Sequence, residues 1–159
     1  MRSLHAAIGA GLLIVLAGCE KPKRYTTTVE VTKIRRFGQD QQKVPAVTEM
    51  ELRYAECPGE AIKVLRADKS FGECGSKIKR GDKVPAEVVL SYSRERGNYR
   101  HDVVRIDDCS VKVDPKDEAN YELVQQCRDL IATGMDVGVH CDRTRSPELI
   151  AKCPWLRRR

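Results

Sequence analysis

Cysteine is the residue type in this chain with the greatest capacity for covalent chemistry. The chain has 159 residues and seven cysteines. Six of them follow residue 50, namely Cys57, Cys74, Cys109, Cys127, Cys141 and Cys153. None of these six forms a C-x-x-C pair, which argues against a thioredoxin-like redox motif and against a zinc ribbon. Because their number is even, we predict three structural disulfides in an oxidising compartment.

The sequence does not fix which cysteines pair, because six cysteines allow many connectivities. The simplest hypothesis joins neighbours along the chain, as Cys57–Cys74, Cys109–Cys127 and Cys141–Cys153. Each of these bridges would close a short loop and contribute roughly 3 kcal/mol in the chain-entropy model.

The seventh cysteine, Cys19, lies at the end of an apolar run. Arg2 precedes this run, which extends from Ala6 to Ala17 and is too short to cross a bilayer of about 30 Å as a helix. The stretch LAGC at residues 16–19 closely resembles the lipobox of bacterial lipoproteins. The resemblance implies that the Cys19 thiol is acylated and that the chain is cut just before it. Two or three acyl chains would make the membrane attachment effectively permanent.

These features divide the chain into three parts. We predict a lipoprotein signal peptide over residues 1–18, a lipid anchor and short tether over 19–25, and a single globular domain over 26–159. In many Gram-negative lipoproteins an aspartate directly after the lipidated cysteine retains the protein in the inner membrane. Glu20 occupies that position here, which favours the outer membrane. We expect the domain to face the periplasm, and exposure on the cell surface is the alternative.

The net charge of +6 is spread along the chain, and charges of both signs alternate. A nucleic-acid-binding protein normally concentrates its positive charge on one face, so we predict no nucleic-acid partner. Aromatic residues make up only 5% of the chain. A modest core of this kind would depend on disulfides for part of its stability.

The first two thirds of the domain read as β-strands. Apolar and polar residues alternate over Thr26–Phe37 and Thr48–Cys57, and Ile62–Leu65 is a shorter candidate. Val84–Tyr92 and His101–Ile106 flank a Gly-Asn turn signal and predict a hairpin.

After Val113 the pattern becomes helical. Asp114 and the proline after it are typical of a helix start, apolar residues recur at helical spacing through Ile131, and Gly134 predicts the helix end. A short strand over Asp136–Cys141 and a brief helix from Ser146 to before Pro154 complete the chain. The predicted class is α+β: a small, mostly antiparallel β-sheet or OB-like barrel, followed by two short helices and stapled by disulfides.

Residues suited to catalysis are few, and we predict no catalytic residue, no metal site and no cofactor. His140 adjoins Cys141, but oxidation would consume that thiol. Asp107 and Asp108 are adjacent, so on a strand they would face opposite sides of the sheet. An RGD tripeptide at residues 80–82 is read as a turn before a strand.

One local cluster has the composition of a binding site. It surrounds the turn of the predicted hairpin and comprises Tyr92, Arg94, Arg96, Tyr99, Arg100 and His101. Arginine side chains bind phosphate or carboxylate, and tyrosine rings offer stacking faces. We expect this cluster to bind an anionic polymer, a lipid headgroup or an acidic partner, or to serve as a solubilising turn.

The functional hypotheses therefore belong to different classes. The first is a non-enzymatic, membrane-anchored binding or assembly module of a cell-envelope complex, with an envelope protein as partner. The alternatives are a binder of anionic glycan or lipid through the arginine-rich loop, and a hydrolase of an envelope polymer. The chain as a whole also resembles lipoproteins of gliding bacteria, some of which serve motility or surface adhesion.

Overall fold

The computed structural model describes residues 21–39, 45–93, 97–114 and 116–157. Within these ranges the chain forms eight β-strands: β1 Lys23–Gln39, β2 Pro45–Tyr54, β3 Glu60–Ala67, β4 Lys83–Ser93, β5 Asn98–Ile106, β6 Cys109–Ser110, β7 Tyr121–Ala132 and β8 Met135–Asp142. Two short helices accompany them, α1 Lys69–Cys74 and α2 Pro147–Lys152. No helix in the described ranges is long and apolar enough to cross a membrane.

All the strand pairings are antiparallel and join the strands in the order β6-β5-β4-β1-β2-β3-β7-β8. The predicted class, a small α+β domain with a mostly antiparallel sheet, two short helices and disulfides, is confirmed. A closed five-stranded barrel would require β3 to pair with β5, whereas β3 pairs with β7. The sheet nevertheless curls, because His101 of β5 and Glu122 of β7 touch although four strands separate β5 from β7 in the sheet order.

The core lies inside this curl and follows the alternation read from the sequence. Val29 and Val31 of β1 and Met50, Leu52 and Tyr54 of β2 are all buried. In a strand such residues share one face, because successive side chains point to opposite sides. The predicted hairpin is also present, with β4 and β5 paired from Ala86↔Ile106 to Ser93↔Asn98.

The C-terminal segment closes one end of the core. Ser146 caps α2 by accepting a hydrogen bond from the Leu149 backbone N–H, and Pro147 occupies the first turn, as predicted. The 3₁₀ turn Pro154–Leu156 then buries Trp155. Its ring lies 5.6 Å from the ring of Tyr54, centroid to centroid.

The helix predicted after Val113 is wrong. Residues 121–132 form β7, and the other helix of the fold, α1, lies earlier, between β3 and β4. Apart from Val124, the apolar residues that suggested a buried helical face are exposed. A helix in this segment would therefore have had no core to pack against. Asp114 accepts a hydrogen bond from the Lys116 backbone N–H in a local turn instead of starting a helix.

Two further boundaries differ from the sequence expectation. β1 begins at Lys23, inside the segment 19–25 assigned to the tether. Helix α1 was not predicted; Asp68 starts it by accepting hydrogen bonds from the backbone N–H groups of Ser70 and Phe71. The predicted signal peptide and Cys19 lie outside the described residues.

Candidate functional site

Ionisable side chains lie largely shielded from solvent where β5 and β7 meet inside the curled sheet, and His101 is buried among them. His101 comes from β5, Glu122 from β7, Lys63 from β3 and Arg145 from the segment between β8 and α2. We call these four residues the β5–β7 junction. Glu122 is the direct cross-strand partner of Lys63, which fixes the register at this point.

Glu122 is the centre of the junction. One of its carboxylate oxygens accepts a hydrogen bond from Arg145, which also donates to the backbone carbonyl of Leu156. The other oxygen, Oε2, lies 2.5 Å from Nε2 of His101. That approach does not have hydrogen-bond geometry, so Nε2 has no hydrogen-bond partner among the described residues.

The surroundings determine the charge of His101. Burial, followed by the positive charges of Lys63, Arg145 and Arg100, lowers the pKa of His101 well below its usual value. Burial also lowers the pKa of Lys63, although the Glu122 and Asp102 carboxylates act in the opposite direction. The imidazole is therefore neutral at pH 7.

Two further buried polar atoms near the junction have no hydrogen-bond partner in the described part of the chain. They are the Tyr54 hydroxyl and the Trp155 indole N–H. Burial is the main cause that raises the pKa of Tyr54 well above its usual value. Each such group costs about 1–3 kcal/mol if no water or ligand satisfies it.

The cavity beside the junction has a volume of about 180 Å³, and both His101 and Glu122 line it. Ligand pockets usually enclose roughly 300–1,000 Å³, so this space suits several waters or one small molecule of about the size of benzene. The described residues contain no cluster of three or more histidine, cysteine, aspartate or glutamate side chains that could hold a metal ion.

The described members of the arginine-rich cluster predicted from sequence do not all lie on one surface. Tyr92 and Tyr99 are cross-strand neighbours whose rings meet edge to face, with centroids 5.4 Å apart. Arg100 forms a two-pronged ion pair with Asp102, at 2.7–2.9 Å. His101 points into the junction and is buried. The other two members, Arg94 and Arg96, lie outside the described residues.

The other sequence candidates are also located. Asp107 and Asp108 form the two-residue turn between β5 and β6 rather than part of a strand, and Asp107 has a positive φ of 52°. Cys141 is in a disulfide and is not a free thiol beside His140. The RGD tripeptide is an exposed turn in which Asp82 accepts from the Lys79 backbone N–H.

The six cysteines form three disulfides, as predicted, but none of the three predicted pairs is present. The pairs are Cys57–Cys153, Cys74–Cys109 and Cys127–Cys141. The predicted pairing is wrong because the fold brings the first of the six, Cys57, against the last, Cys153, while the other four pair consecutively. The first bridge ties the start of β3 to the C-terminal segment, and the second ties α1 to β6.

A second candidate site was not foreseen from the sequence. Beyond Gln125, β7 pairs only with β8, and almost every residue from Cys127 to Asp142 is exposed. We call residues 126–142 the apolar hairpin, because it exposes these large side chains: Leu130 (41% exposed), Ile131 (71%), Met135 (66%), Val137 (60%) and Val139 (61%). The predicted helix hid this feature, because it assigned Ile131 to a buried face and left the predicted strand over Asp136–Cys141 without β7 as its partner.

The apolar hairpin is held rigidly. Cys127 and Cys141 are cross-strand partners near its base and form the third disulfide. At the tip, Thr133 and Gly134 make a tight turn, both with positive φ. This conformation is typical of two-residue hairpin turns.

Comparison of the chain with protein-family models, with curated proteins and with solved structures finds no significant match in any of the three. The functional argument therefore depends on the geometry of this chain.

Proposed function

We propose that this protein is a lipid-anchored lipoprotein of the cell envelope, facing the periplasm, that acts as a non-enzymatic binding module in an envelope complex. The observation that carries the binding role is the apolar hairpin, which presents exposed aliphatic side chains on a disulfide-stapled support. The lipobox at residues 16–19 supports the anchor, and three disulfides support an oxidising compartment.

The apolar hairpin has the properties of a docking surface. Isolated exposed apolar residues are ordinary, but a group of them close together marks an interaction site in soluble proteins. Strand alternation places Ile131 and Val139 on one face of the apolar hairpin and Leu130 and Met135 on the other, so each face exposes aliphatic side chains. Burying one such aliphatic side chain contributes about 1.5–3 kcal/mol. Because the strands are already linked by a bridge, little conformational entropy is lost when a partner binds.

The anchor is tested by Cys19→Ser. We expect the wild-type chain to carry acyl groups on Cys19 by mass spectrometry and to remain in the membrane fraction after a high-salt wash. The variant should be found as an unacylated precursor or as released protein. An unmodified, intact N-terminus in the wild-type chain would contradict the lipoprotein assignment.

The docking role is tested with Ile131→Ser in the full lipidated chain. Burial of this side chain predicts that the substitution weakens recovery of a specific envelope partner about tenfold. Stability should change by less than about 0.5 kcal/mol, because Ile131 is exposed. Arg80→Ser in the exposed RGD turn is the matched control. Unchanged recovery with Ile131→Ser, or equal loss with Arg80→Ser, would refute the assignment of the hairpin.

The β5–β7 junction keeps a hydrolase as the second candidate. A neutral histidine beside a carboxylate is a common arrangement for acid–base chemistry, and both groups line the same small cavity. Against this, Arg145 already binds Glu122, and the cavity, at about 180 Å³, is smaller than a typical ligand pocket. Loss of an envelope-degrading activity in Glu122→Gln, with the three disulfides intact, would favour the enzyme over the binding module.

A further inference from the structure

The two faces of the apolar hairpin differ in charge. One face, which we call the acidic face, carries two aliphatic and two acidic side chains, namely Ile131, Val139, Asp129 and Asp136. The other, the basic face, carries two aliphatic and two basic side chains, namely Leu130, Met135, Arg128 and His140. An ionised carboxylate is costly to bury in lipid, whereas an arginine at a membrane surface pairs with headgroup phosphates. The basic face is therefore the one suited to contact with a bilayer.

The register of the sheet directs the hairpin towards the end of the domain where β1 starts. One row across β7, β3, β2 and β1 consists of Leu123, Ile62, Arg53 and Glu30. β7 runs opposite to β1, because each step in this row is antiparallel. Lys23 lies seven positions before Glu30, and Ala132 lies nine positions after Leu123. The start of β1 and the tip of the hairpin therefore lie at the same end.

The segment after β8 supports the same placement. At the base of the hairpin, the Gln126 side chain donates a hydrogen bond to the Ser146 hydroxyl at 3.0 Å. Further along this segment, the ring of Trp155 packs against the ring of Tyr25 in β1, with centroids 5.6 Å apart. One short segment thus contacts both the base of the hairpin and the start of β1, so both leave the same end of the core.

The lipid anchor belongs to this end as well. Cys19 precedes Lys21, the first described residue, by two positions, and two residues of chain span at most about 7 Å. Acylation of Cys19, which is part of the proposed function and on which this inference rests, therefore holds Lys21 at the membrane surface. Lys21 and Lys23 are both exposed there, as suits a surface of phosphates. The hairpin tip points to the same membrane.

A cavity on the basic face has the chemistry of a phospholipid headgroup site. Its volume is about 240 Å³, and its lining residues are Gln126, Cys127, Arg128, His140, Asp142 and Thr144. The Arg128 guanidinium has the planar donor geometry that phosphate accepts in pairs of hydrogen bonds. Asp142, held by the Thr144 backbone N–H, supplies a carboxylate for a headgroup amine. Charges of both signs in one cavity match a zwitterionic headgroup.

We propose that the basic face of the apolar hairpin lies on the phospholipid bilayer that holds Cys19. Arg128 and His140 bind a headgroup phosphate at the level of the cavity. Leu130 and Met135 lie nearer the tip and contact the acyl chains. The acidic face stays in water and remains available to the protein partner, so the two faces of the hairpin have two different occupants.

Tryptophan fluorescence tests this placement. The chain has one native tryptophan, Trp155, which is buried and gives a constant background. The mature lipidated chain is reconstituted into phospholipid vesicles whose acyl chains carry bromine, which quenches tryptophan only over a short distance. Leu130→Trp on the basic face should lose most of its added fluorescence. Val139→Trp on the acidic face is the matched control and should keep it. Both native side chains are exposed, and the absence of free thiols checks that each variant is folded.

Arg128→Glu tests the headgroup contact. Added to Leu130→Trp, it should reduce the quenching by brominated lipid, because the carboxylate repels the phosphate. Arg80→Glu makes the same change of charge in the exposed turn before β4 and should leave the quenching unchanged. Equal effects of the two substitutions would overturn the headgroup site.

The remaining outcomes separate this proposal from the lipoprotein assignment. Only chain whose Cys19 acylation has been verified by mass spectrometry enters the vesicles. An acylated chain without quenching in either tryptophan variant would overturn this proposal alone and leave both faces to a protein partner. Equal quenching of both variants would overturn the assignment of the two faces. An unmodified Cys19 in the wild-type chain would overturn the anchor and this proposal together. None of these results bears on partner recovery with Ile131→Ser.

Discussion

The three disulfides should contribute unequally to stability, and the observed pairing gives their order. The stabilisation expected from a bridge increases with the length of the loop it closes. The sequence separations are 96 residues for Cys57–Cys153, 35 for Cys74–Cys109 and 14 for Cys127–Cys141. The chain-entropy model then gives about 4.7, 3.8 and 3.0 kcal/mol, respectively. Neighbour pairing would have predicted nearly equal values.

The packing around the cysteines predicts the same order of stabilisation as the loop lengths. Cys57 and Cys153 are buried in the core next to Trp155, so their replacement by alanine also removes contacts there. Cys127 and Cys141 are exposed, so their loss loosens a peripheral hairpin and disturbs little else. We therefore expect the double variant Cys57→Ala/Cys153→Ala to be the least stable of the three.

The assay compares three double cysteine-to-alanine variants by urea and thermal unfolding. The difference of about 1.7 kcal/mol between the longest and shortest loops corresponds to roughly 7 °C in melting temperature, at about 4 °C per kcal/mol. Intact mass and thiol titration must first show that the two remaining bridges are formed. Equal losses in all three variants, or the largest loss in Cys127→Ala/Cys141→Ala, would refute the reasoning.

Three other predictions follow from single positions. The pKa of His101 is lower in the folded than in the unfolded chain, so the free energy of unfolding should fall as the pH drops below about 6.5. Urea unfolding at several pH values between about 5 and 7 should show this decrease. The variant His101→Gln should not show it. Gly59 has a positive φ of 75°, and a Cβ there would lie 2.8 Å from the Gln125 carbonyl oxygen, so Gly59→Ala should destabilise by about 2–4 kcal/mol. The control Gly81→Ala, at φ 92° with open space around it, should cost only about 1 kcal/mol, and equal costs would contradict the steric argument. Changing Arg94 and Arg96 to serine should cost less than about 0.5 kcal/mol per site, and full partner recovery by that variant would leave these arginines with a solubilising role only.

The parts of the fold that were predictable are those in which local pattern and tertiary burial agree. Val29, Val31, Met50 and Leu52 alternate because one face of β1 and β2 is buried, and the alternation alone identifies the strands. The cap of α2 was predictable for a similar reason. Ser146 and the proline after it satisfy a local hydrogen-bonding requirement that no distant contact overrides.

β7 and the candidate sites were not predictable because distant segments determine them. Val124 lies at helical spacing from Tyr121 and Cys127, whereas Glu122 and Gln126 at strand spacing are polar. Its strand conformation depends on pairing with β3, which the local pattern does not contain. The β5–β7 junction likewise depends on the curl of the sheet, since His101 and Glu122 belong to strands far apart in the sheet order. Local periodicity contains no information about either contact.

The Cys127–Cys141 bridge is best understood through what it prevents. A hairpin with apolar residues on both strands and few core contacts has a weakly specified register, and a slip of one residue would turn every side chain to the other face. The bridge fixes Cys127 opposite Cys141 and thereby fixes which atoms of β8 face outwards. It lies too far from the core to be needed for folding of the sheet. An exposed staple at this position therefore favours a role in presenting the hairpin surface over a role in holding the domain together.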